Sequence, residues 1–298
     1  MINEGKDKGK LTLIDDFHKL YKKEGLSERV IESFRKLIYD YYRNYKRDFI
    51  FREEKFRTPY YILVSEIMLQ QTQTSRVSEK FRNFIDLFPD FKALSEASLK
   101  NVLKAWQGLG YNRRAKALNK IADIVLEKYD GELPTTREEL RELPQIGEAT
   151  SGSIMAFAFN EPTIFIETNI RRVYIYFFFP GRDAVSDNEI EELLKKTIDK
   201  KNPREWYYAL MDYGVMLKKT HPELNKRSKH YRKQSSFKGS NRQIRGKVLK
   251  LLMKKPEFTE KEIIKSLDFK EARIKKVLSD LHKEGFLKKE DNKITIPK

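Results

Sequence analysis

Apolar side chains recur at helical spacing through most of residues 28–217, with short interruptions of Gly, Pro or Asn. The apolar run at 173–179 has the composition of a buried strand, but the Pro180-Gly181 pair that closes it and its helical surroundings favour a buried helix. The pattern therefore predicts an all-α architecture for this region. The clearest stripe lies between Gly110 and Gly131 and joins Ala117, Leu118, Ile121, Ala122, Ile124 and Val125.

The C-terminal part of the chain has a different pattern, with three short apolar stripes followed by two short β-like segments. The segments are 286–289 and 293–296, and a turn at 290–292 joins them. Three helices and a β-hairpin wing predict a small winged helix-turn-helix, a module that usually binds DNA and in some proteins mediates protein contacts only. The stripes are Ile244, Val248, Leu251 and Leu252; Ile263, Ile264 and Leu267; and Ile274, Val277, Leu278 and Leu281.

These patterns divide the chain into four segments. Residues 1–27 form a polar arm, either mobile or a loosely docked helix. Residues 28–217 form the helical domain, 218–241 a basic linker and 242–298 the winged-helix domain. The linker assignment depends on charge, because residues 218–247 contain eleven Lys or Arg and a single acid, Glu223.

Charge and cysteine content narrow the classes of function. The chain has 61 Lys and Arg against 44 Asp and Glu, a formal charge of +17, which favours nucleic acid as the partner. No 18-residue apolar stretch and no signal-peptide core is present, so we expect a cytoplasmic, nucleoid-associated protein without a membrane partner. There is no cysteine and the four His are scattered. We therefore expect no metal, no iron–sulfur cluster and no other cofactor.

Glu66 is the first candidate for chemistry because it lies inside the apolar run 61–69. A carboxylate removed from water either pairs with a cation or keeps its proton, and the run contains no Lys or Arg. A protonated acid near neutral pH suits donation to a leaving group, which makes Glu66 a candidate general acid. The alternative is a glutamate in the first turn of a helix, facing solvent.

A tight turn at 143–149 (LPQIGEA) is the second candidate. One helix ends at Pro144 and another begins after Gly147, where exposed backbone N–H groups can hold a DNA phosphate without reading sequence. Leu143, Gln145, Gly147 and Ala149 are the residues we expect to contact DNA there. An ordinary αα-hairpin would use similar residues.

Several ordered motifs resemble the helix-hairpin-helix DNA glycosylases, and among them the MutY-type adenine-DNA glycosylases. The resemblance implies an all-helical, two-lobed fold over about 160 residues, and it covers neither the N-terminal arm nor the C-terminal module. The motifs are TPY at 58–60, SEIMLQQTQ at 65–73, WQGLGY at 106–111, the turn at 143–149, ETNIRRV at 167–173 and MDYG at 211–214.

The resemblance implies roles for individual residues. Glu66 corresponds to the acid that protonates the purine ring, and Glu167 stands where the family has an Asp that supports the positive charge on the sugar. The alternative for Glu167 is to cap the following helix. Ala149 matches a position where bifunctional relatives carry a Schiff-base Lys, so the resemblance implies hydrolysis without strong strand cleavage.

Gln71 and Tyr111 match side chains that wedge into the duplex when a nucleotide is extruded, although both could be plain surface or core residues. We also expect Arg114 and Lys218 to contact DNA. Two further departures concern the C-terminal side. Lys218, Asn225, Ser228 and Gln234 lie near the positions of four Cys that commonly bind an iron–sulfur cluster in the family, and the family's β-rich C-terminal domain is replaced by the predicted winged helix.

The sequence therefore predicts a monofunctional DNA glycosylase of base excision repair that flips and hydrolytically removes a mispaired base, preferentially adenine opposite guanine or 8-oxoguanine. One alternative is a thymine or uracil glycosylase that acts on mismatches with guanine. Another is a non-catalytic winged-helix DNA-binding protein, in which the Asp-to-Glu change inactivated the glycosylase cleft. We expect a monomer whose partner is double-stranded DNA with a mismatch or a damaged base.

Overall fold

A computed structural model describes residues 4–255 and 257–297, and for residues 4–12 it describes the backbone alone. The chain divides into two compact units. Unit one contains the chain up to Phe49 and Gly147–Lys233, and unit two contains Ile50–Ile146 and the chain from Gln234 onwards.

The described residues are mostly helical, which confirms the predicted fold class, and residues 173–178 lie in a helix as predicted. Among residues 4–255 and 257–297, no helix combines the length and apolar character that a membrane crossing needs. The helices are α1 Glu4–Glu24, α2 Glu28–Tyr45, α3 Pro59–Leu69, α4 Thr74–Leu87, α5 Phe91–Glu96, α6 Leu99–Ala105, α7 Arg113–Lys128, α8 Arg137–Glu142, α9 Glu148–Ala158, α10 Thr168–Phe178, α11 Asp187–Thr197, α12 Pro203–Thr220, α13 Asn241–Lys254, α14 Glu260–Ser266 and α15 Glu271–Lys283. The strands are β1 Phe258–Thr259, β2 Lys288–Glu290 and β3 Lys293–Thr295, and short 3₁₀ turns occupy Ile50–Arg52, Glu54–Phe56 and Pro222–Arg227.

An aromatic cluster forms the core of unit one. Phe34 of α2 meets Phe177 of α10 edge-on at 5.0 Å and Trp206 of α12 at 5.6 Å between ring centroids. Phe17 of α1 is 1% exposed and packs against the Phe177 ring at 5.1 Å. Of the two alternatives for the N-terminal arm, the structure shows a helix, and this helix contributes to the core.

A buried ion pair joins α12 to the segment after α2. The Asp212 carboxylate, which is buried, accepts from the Arg47 backbone N–H at 2.8 Å and from the Arg47 guanidinium at 2.7 and 2.8 Å. A buried carboxylate needs such a partner, because removing one member of a buried pair leaves an uncompensated charge.

Unit two is built around α3, α4, α6 and α7. Leu63, Phe84, Trp106 and Leu118 are fully buried, and the Trp106 indole donates to the Gly110 carbonyl at 3.0 Å. The α7 stripe predicted from the sequence faces this core, with Leu118, Ile121, Ala122 and Val125 fully buried.

The C-terminal residues of unit two form α13, α14 and α15 with a small antiparallel sheet of order β1-β3-β2. Asp291 and Asn292 have φ values of 46° and 63°, which is the conformation of a two-residue type I′ hairpin turn. The three predicted helices and the predicted hairpin are therefore present, with each strand one residue shorter than predicted and the first strand starting at Lys288 instead of 286. The assignment as a winged helix and the four domain bounds stay predictions.

An ionic contact fixes this C-terminal module to α7. Glu284, at the end of α15, accepts from Arg113 of α7 at 2.6 and 2.9 Å and from Arg245 of α13 at 2.6 and 2.9 Å. The hydrogen bond from Arg113, together with that from Arg245, lowers the pKa of the Glu284 carboxyl to about 2. The carboxylate therefore stays ionised at neutral pH and links three helices of unit two.

Candidate functional site

Glu66 lies in the last turn of α3, in unit two. The helix starts where the Thr58 hydroxyl caps the Tyr61 N–H at 3.3 Å and Pro59 occupies the first turn. Glu66 is half-buried between the buried residues Ser65 and Ile67. The alternative of a first-turn glutamate is thus wrong, and Glu66 stands at the edge of the core near the C-terminal end of its helix.

Gln71 and Tyr111 lie in the two turns that follow α3 and precede α7. Both are non-glycine residues with positive φ, 54° for Gln71 and 46° for Tyr111. This left-handed conformation costs about 1–3 kcal/mol per residue, persists only where the surroundings enforce it, and clusters at functional sites.

Arg114 supplies that enforcement. It is 3% exposed, and one nitrogen, Nη1, donates to the carbonyls of Ile67, Met68 and Gln70 at 2.9, 2.8 and 2.5 Å. Nη2 donates to the Thr72 hydroxyl at 2.9 Å and to the carbonyls of Leu109 and Gly110 at 3.1 Å. One guanidinium thus ties the C-terminal end of α3 to the turn before α7.

The predicted direct contact of Arg114 with DNA does not fit this arrangement, because the guanidinium is buried and both of its terminal nitrogens donate to the protein. Burial lowers the pKa of the Arg114 guanidinium to about 10, so it remains charged at neutral pH. The structure gives Arg114 the role of positioning Gln71 and Tyr111.

The sequence did not single out two further residues at Tyr111. The Tyr111 hydroxyl accepts from the amide of Gln234 and, at 2.8 Å, from the guanidinium of Arg242. The Gln234 amide also donates to the Gln71 side-chain oxygen at 3.4 Å. In the sequence, Gln234 stood out only as lying near the position of a family cysteine, and Arg242 only as part of a basic segment.

The predicted DNA-binding turn lies where the chain leaves unit two and enters unit one. Leu143 is 3% exposed and caps α8, so its side chain belongs to the core, whereas Gln145 is exposed with φ 63°. The Gln145 carbonyl accepts from the Gln70 amide at 3.1 Å. The Leu143 side chain therefore lies in the core, and Gln145 is exposed at the surface.

On the unit-one side, Gly147 is the N-cap of α9 and, having no side chain, makes no capping hydrogen bond. Gly147, Glu148 and Ala149 are exposed. A Cβ added at Gly147 would have none of the described protein atoms within 4 Å, and the φ of −102° suits any residue. The fold itself does not require glycine here, whereas close approach of a phosphate to the helix N-terminus would.

Glu167 is the N-cap of α10, in unit one. Its Oε1 accepts from the backbone N–H groups of Asn169 at 2.8 Å and Ile170 at 3.1 Å, and its Oε2 accepts from the Asn169 amide at 3.2 Å. The capping alternative is therefore observed, and the carboxylate is fixed by the first turn of the helix. Burial raises the pKa of Glu167, against the opposing effect of these hydrogen bonds and of the Arg172 charge.

A buried network holds this first turn. Arg172 donates to the Asn169 side-chain oxygen at 2.7 Å and to the Gly214 carbonyl at 2.6 Å. A Cβ on Gly214 would lie 2.4 Å from the Asn169 carbonyl oxygen, so α12 approaches α10 more closely than any other residue type allows. Gly214 and Arg172 together set the position of Asn169, and Asn169 sets the position of Glu167.

The segment where the family commonly binds an iron–sulfur cluster does not fit that group, since the chain has no cysteine. Arg227 instead donates to the carbonyls of Phe179 and Arg182, and Val185 exchanges backbone hydrogen bonds of 2.9 Å with Arg227 and Lys229. Lys218 is exposed in the last turn of α12. Within the described ranges, no group of three or more His, Asp or Glu is arranged to hold a metal ion.

Comparison with known proteins shows a family match for the central region of the chain. Residues 64–200, which include Glu66, the turn at 143–149 and Glu167, match the model of the HhH-GPD superfamily base excision DNA repair protein. The adenine DNA glycosylase of Buchnera aphidicola subsp. Baizongia pistaciae is 37% identical over 174 residues, which are 57% of this chain and 49% of that protein. The adenine DNA glycosylase of Mycobacterium tuberculosis is 29% identical over 231 residues, 71% of this chain and 76% of that protein.

A solved thermostable thymine-DNA glycosylase superposes with a TM-score of 0.56 at 25% identity and covers 62% of this chain and 86% of its own. An endonuclease III in a non-covalent DNA complex shares the fold, with a TM-score of 0.54 at 20% identity, over 63% of this chain and 86% of its own. The chain spans about half the length of the first of these curated relatives. Residues 64–200, which contain the motifs and the helices described above, are thus similar to the HhH-GPD superfamily of base excision DNA repair proteins.

Proposed function

We propose that this protein is a monofunctional DNA N-glycosylase that hydrolytically removes a mispaired base from double-stranded DNA. The observation that carries the proposal is the Glu167 carboxylate, which two backbone N–H groups of α10 fix at 2.8 and 3.1 Å inside the matched domain. A fixed anion of this kind is what a developing positive charge on a sugar requires, because preorganised charges cost no reorganisation during the reaction.

The proposed chemistry divides between the two carboxyl groups. Glu66 donates its proton to the base, the bond between the sugar C1′ and the base nitrogen breaks, and the electron pair leaves with the base. The Glu167 carboxylate stabilises the resulting sugar cation until water adds to C1′ and loses a proton. The raised pKa of Glu167 means that this group ionises at a higher pH than an ordinary glutamate, and it must be ionised to act.

The absence of an amine at Ala149 supports hydrolysis rather than a covalent lyase mechanism. Ala149 lies in the exposed first turn of α9, at the position that carries the Schiff-base Lys in bifunctional relatives. A methyl group there cannot attack C1′, so we expect an intact abasic strand as the product.

Adenine opposite guanine or 8-oxoguanine is the substrate that we propose first, since the curated relatives are adenine DNA glycosylases. Thymine or uracil opposite guanine is the second candidate, and the likeness to the thymine-DNA glycosylase favours it. The partner is then mismatched double-stranded DNA, which a chain of charge +17 attracts, and we propose a monomeric protein that acts at the nucleoid.

A base-release panel tests the proposal. The protein is incubated with duplexes that carry a single A:G, A:8-oxoguanine, T:G or U:G pair, and alkali then cleaves at abasic sites. Alkali-dependent cleavage at adenine supports the first candidate, and cleavage only at thymine or uracil supports the second.

The variant Glu66→Gln keeps the size of the side chain and removes the acid. We expect it to lose base release by at least about a hundredfold, the range of a general acid, while DNA affinity stays within about twofold. No release from any duplex by the unaltered protein, or full release by Glu66→Gln, would contradict the proposed mechanism and favour a DNA-binding protein without catalysis.

A further inference from the structure

The C-terminal part of unit two, residues 234–298, lies beyond residue 200, where the family match ends. This segment contains 18 Lys and Arg against nine Asp and Glu, so it supplies an excess of nine positive charges out of the formal +17 of the chain. The proposed excision chemistry uses none of its residues. An excess of this size favours an anionic polymer as the partner of the segment.

Helix α15 has a buried apolar face and an exposed basic face. The buried face carries Ile274, Val277, Leu278 and Leu281. Four exposed residues follow one another on the opposite face at spacings of four, three and four, which places them in one row along the helix. These residues are Ala272, Lys276, Ser279 and Lys283. We call them the α15 stripe, and the stripe contains two lysines and no acid.

Contacts at both ends fix α15 within unit two. Near its N-terminus, Arg273 donates to the Gly239 carbonyl at 2.8 Å. At its C-terminal cap, Glu284 accepts from Arg113 and from Arg245, each at 2.6 Å. A helix that is held at both ends needs little ordering when a partner binds, and this lowers the cost of association.

The lysines of the neighbouring hairpin differ from those of the stripe in their partners. Lys288 lies 2.5 Å from Glu290, and Lys293 lies 2.9 Å from Glu257. Among the residues that the structure describes, the side chains of the two stripe lysines form no ion pair or hydrogen bond. The stripe can therefore contact phosphates without giving up an internal ion pair, which favours it over the hairpin as the point of contact for an anion.

The dimensions of the stripe match the major groove of duplex DNA. A helix with its side chains is about 10–12 Å across, and the major groove is about 12 Å wide. Ala272 and Ser279 are small and allow the α15 backbone to come near the floor of the groove. Lys276 and Lys283 lie about 10 Å apart along the helix axis, at a rise of about 1.5 Å per residue. In helix-turn-helix proteins the second helix occupies the groove, and α15 follows α14 after a turn at 267–270.

From this geometry we propose that the α15 stripe binds double-stranded DNA in the major groove, where Lys276 and Lys283 contact backbone phosphates. The inference goes beyond the proposed function, because this binding needs neither a mismatch nor base excision. It gives the protein a second duplex contact outside the matched domain. Phosphate contacts contain no sequence information, so we expect the stripe to bind fully paired duplexes of any sequence.

The test measures the affinity of the whole chain for a fully paired duplex by fluorescence anisotropy at a series of salt concentrations. The variant Lys276→Gln with Lys283→Gln removes both charges of the stripe. We expect the slope of the logarithm of the binding constant against the logarithm of the salt concentration to become shallower by about 0.9 per lost phosphate contact, or about 1.8 in all. If binding near 1 M salt is unchanged, binding near 0.1 M salt should be roughly 60-fold weaker.

A matched control separates the stripe from the general charge of the segment. Lys250 and Lys254 are exposed lysines of α13, another helix of the same segment. The variant Lys250→Gln with Lys254→Gln removes the same charge and should change the affinity by no more than about twofold, because charges without a phosphate contact act only through a screened field. Equal losses in the two double variants would overturn the inference, since they would show attraction by net charge without a defined contact face.

A second variant tests the same face and keeps both lysines. Ala272 lies in the first turn of α15, where a carboxylate is favourable for the helix, so Ala272→Glu should remain folded in thermal unfolding. Its added charge would face the DNA, and we expect duplex binding to weaken by at least about tenfold. Unchanged affinity in Ala272→Glu and in the stripe double variant would overturn the inference and favour a protein-contact role for the segment. Because the duplex is undamaged and no base release is measured, these outcomes are independent of the proposed function.

Discussion

Gly214 offers the sharpest test of how unit one positions Glu167. A Cβ at this position would lie 2.4 Å from the Asn169 carbonyl oxygen and 2.6 Å from the Asn169 Cβ, whereas real Cβ atoms essentially never approach other heavy atoms within 3.0 Å. Gly214→Ala must therefore displace the first turn of α10 from α12 by at least 0.6 Å, the difference between the 2.4 Å contact and the 3.0 Å limit.

This displacement reaches Glu167 through short hydrogen bonds. Glu167 accepts from the Asn169 N–H at 2.8 Å, and the Gly214 carbonyl accepts from Arg172 at 2.6 Å, so the carboxylate and its supports move together. A misplacement of about 1 Å in a catalytic constellation costs on the order of a hundredfold in rate. We expect Gly214→Ala to slow base release by about 10- to 100-fold and to destabilise the fold by about 1–3 kcal/mol, the range for overpacked cores.

The assay is single-turnover base release from the best duplex of the panel, measured below the unfolding temperature of the variant, with DNA affinity and thermal unfolding measured in parallel. Gly246→Ala is the control, because a Cβ there would have none of the described protein atoms within 4 Å and only helix propensity changes. A Gly214→Ala protein that is as stable and as fast as the unaltered one would refute the argument that this close contact positions Glu167.

Three further outcomes follow from the same geometry. Because the pKa of Glu167 is raised, we expect the single-turnover rate to begin to fall, as pH is lowered, at a pH above about 4.3, the pKa of an ordinary glutamate. A rate that begins to fall only at or below this pH would contradict the assignment. Gly147→Ala should leave thermal stability unchanged, because the added methyl group has space in the protein. The same methyl group would obstruct a phosphate, so we expect DNA binding in a fluorescence-anisotropy titration to weaken by about 5- to 20-fold. Unchanged affinity would exclude a phosphate at this position. The Glu284 pKa of about 2 means that its stabilising effect is present above the unfolded carboxyl pKa and is lost as pH falls toward 2. Glu284→Gln should thus lower the free energy of unfolding at pH 7 by at most about 3 kcal/mol in denaturant titrations, with a smaller deficit below pH 4, and a deficit independent of pH would contradict the ion-pair explanation.

Helical periodicity was sufficient to predict most of the fold. The α7 stripe and the three C-terminal helices lie where the pattern predicted them, because the buried face of an amphipathic helix is visible as the spacing of its apolar residues. The turn between α8 and α9 could also be predicted from the sequence, since Pro144 and Gly147 are strong local turn signals.

Sequence reasoning missed the contacts of charged residues whose partners are distant in the sequence. Arg114 was predicted to contact DNA, but its acceptors include carbonyls more than forty residues upstream. Glu284 looks like an ordinary surface acid in the sequence, yet it binds Arg113 across 171 residues. Periodicity reports which side chains are apolar, and it contains no information on where a guanidinium finds its carbonyls.

The two units divide the proposed chemistry in a way that lets each half be tested alone. Unit two holds Glu66 and Tyr111, and Arg114 connects the segments that carry them, because the same guanidinium binds the carbonyls at the end of α3 and those just before Tyr111. A lysine has three donors and could not serve these six acceptors. Unit one holds Glu167 and the exposed start of α9, and its own arginine, Arg172, fixes the carboxylate through Asn169. A change at Gly214 therefore perturbs the anion without altering the acid, whereas a change at Arg114 perturbs the acid together with Gln71 and Tyr111.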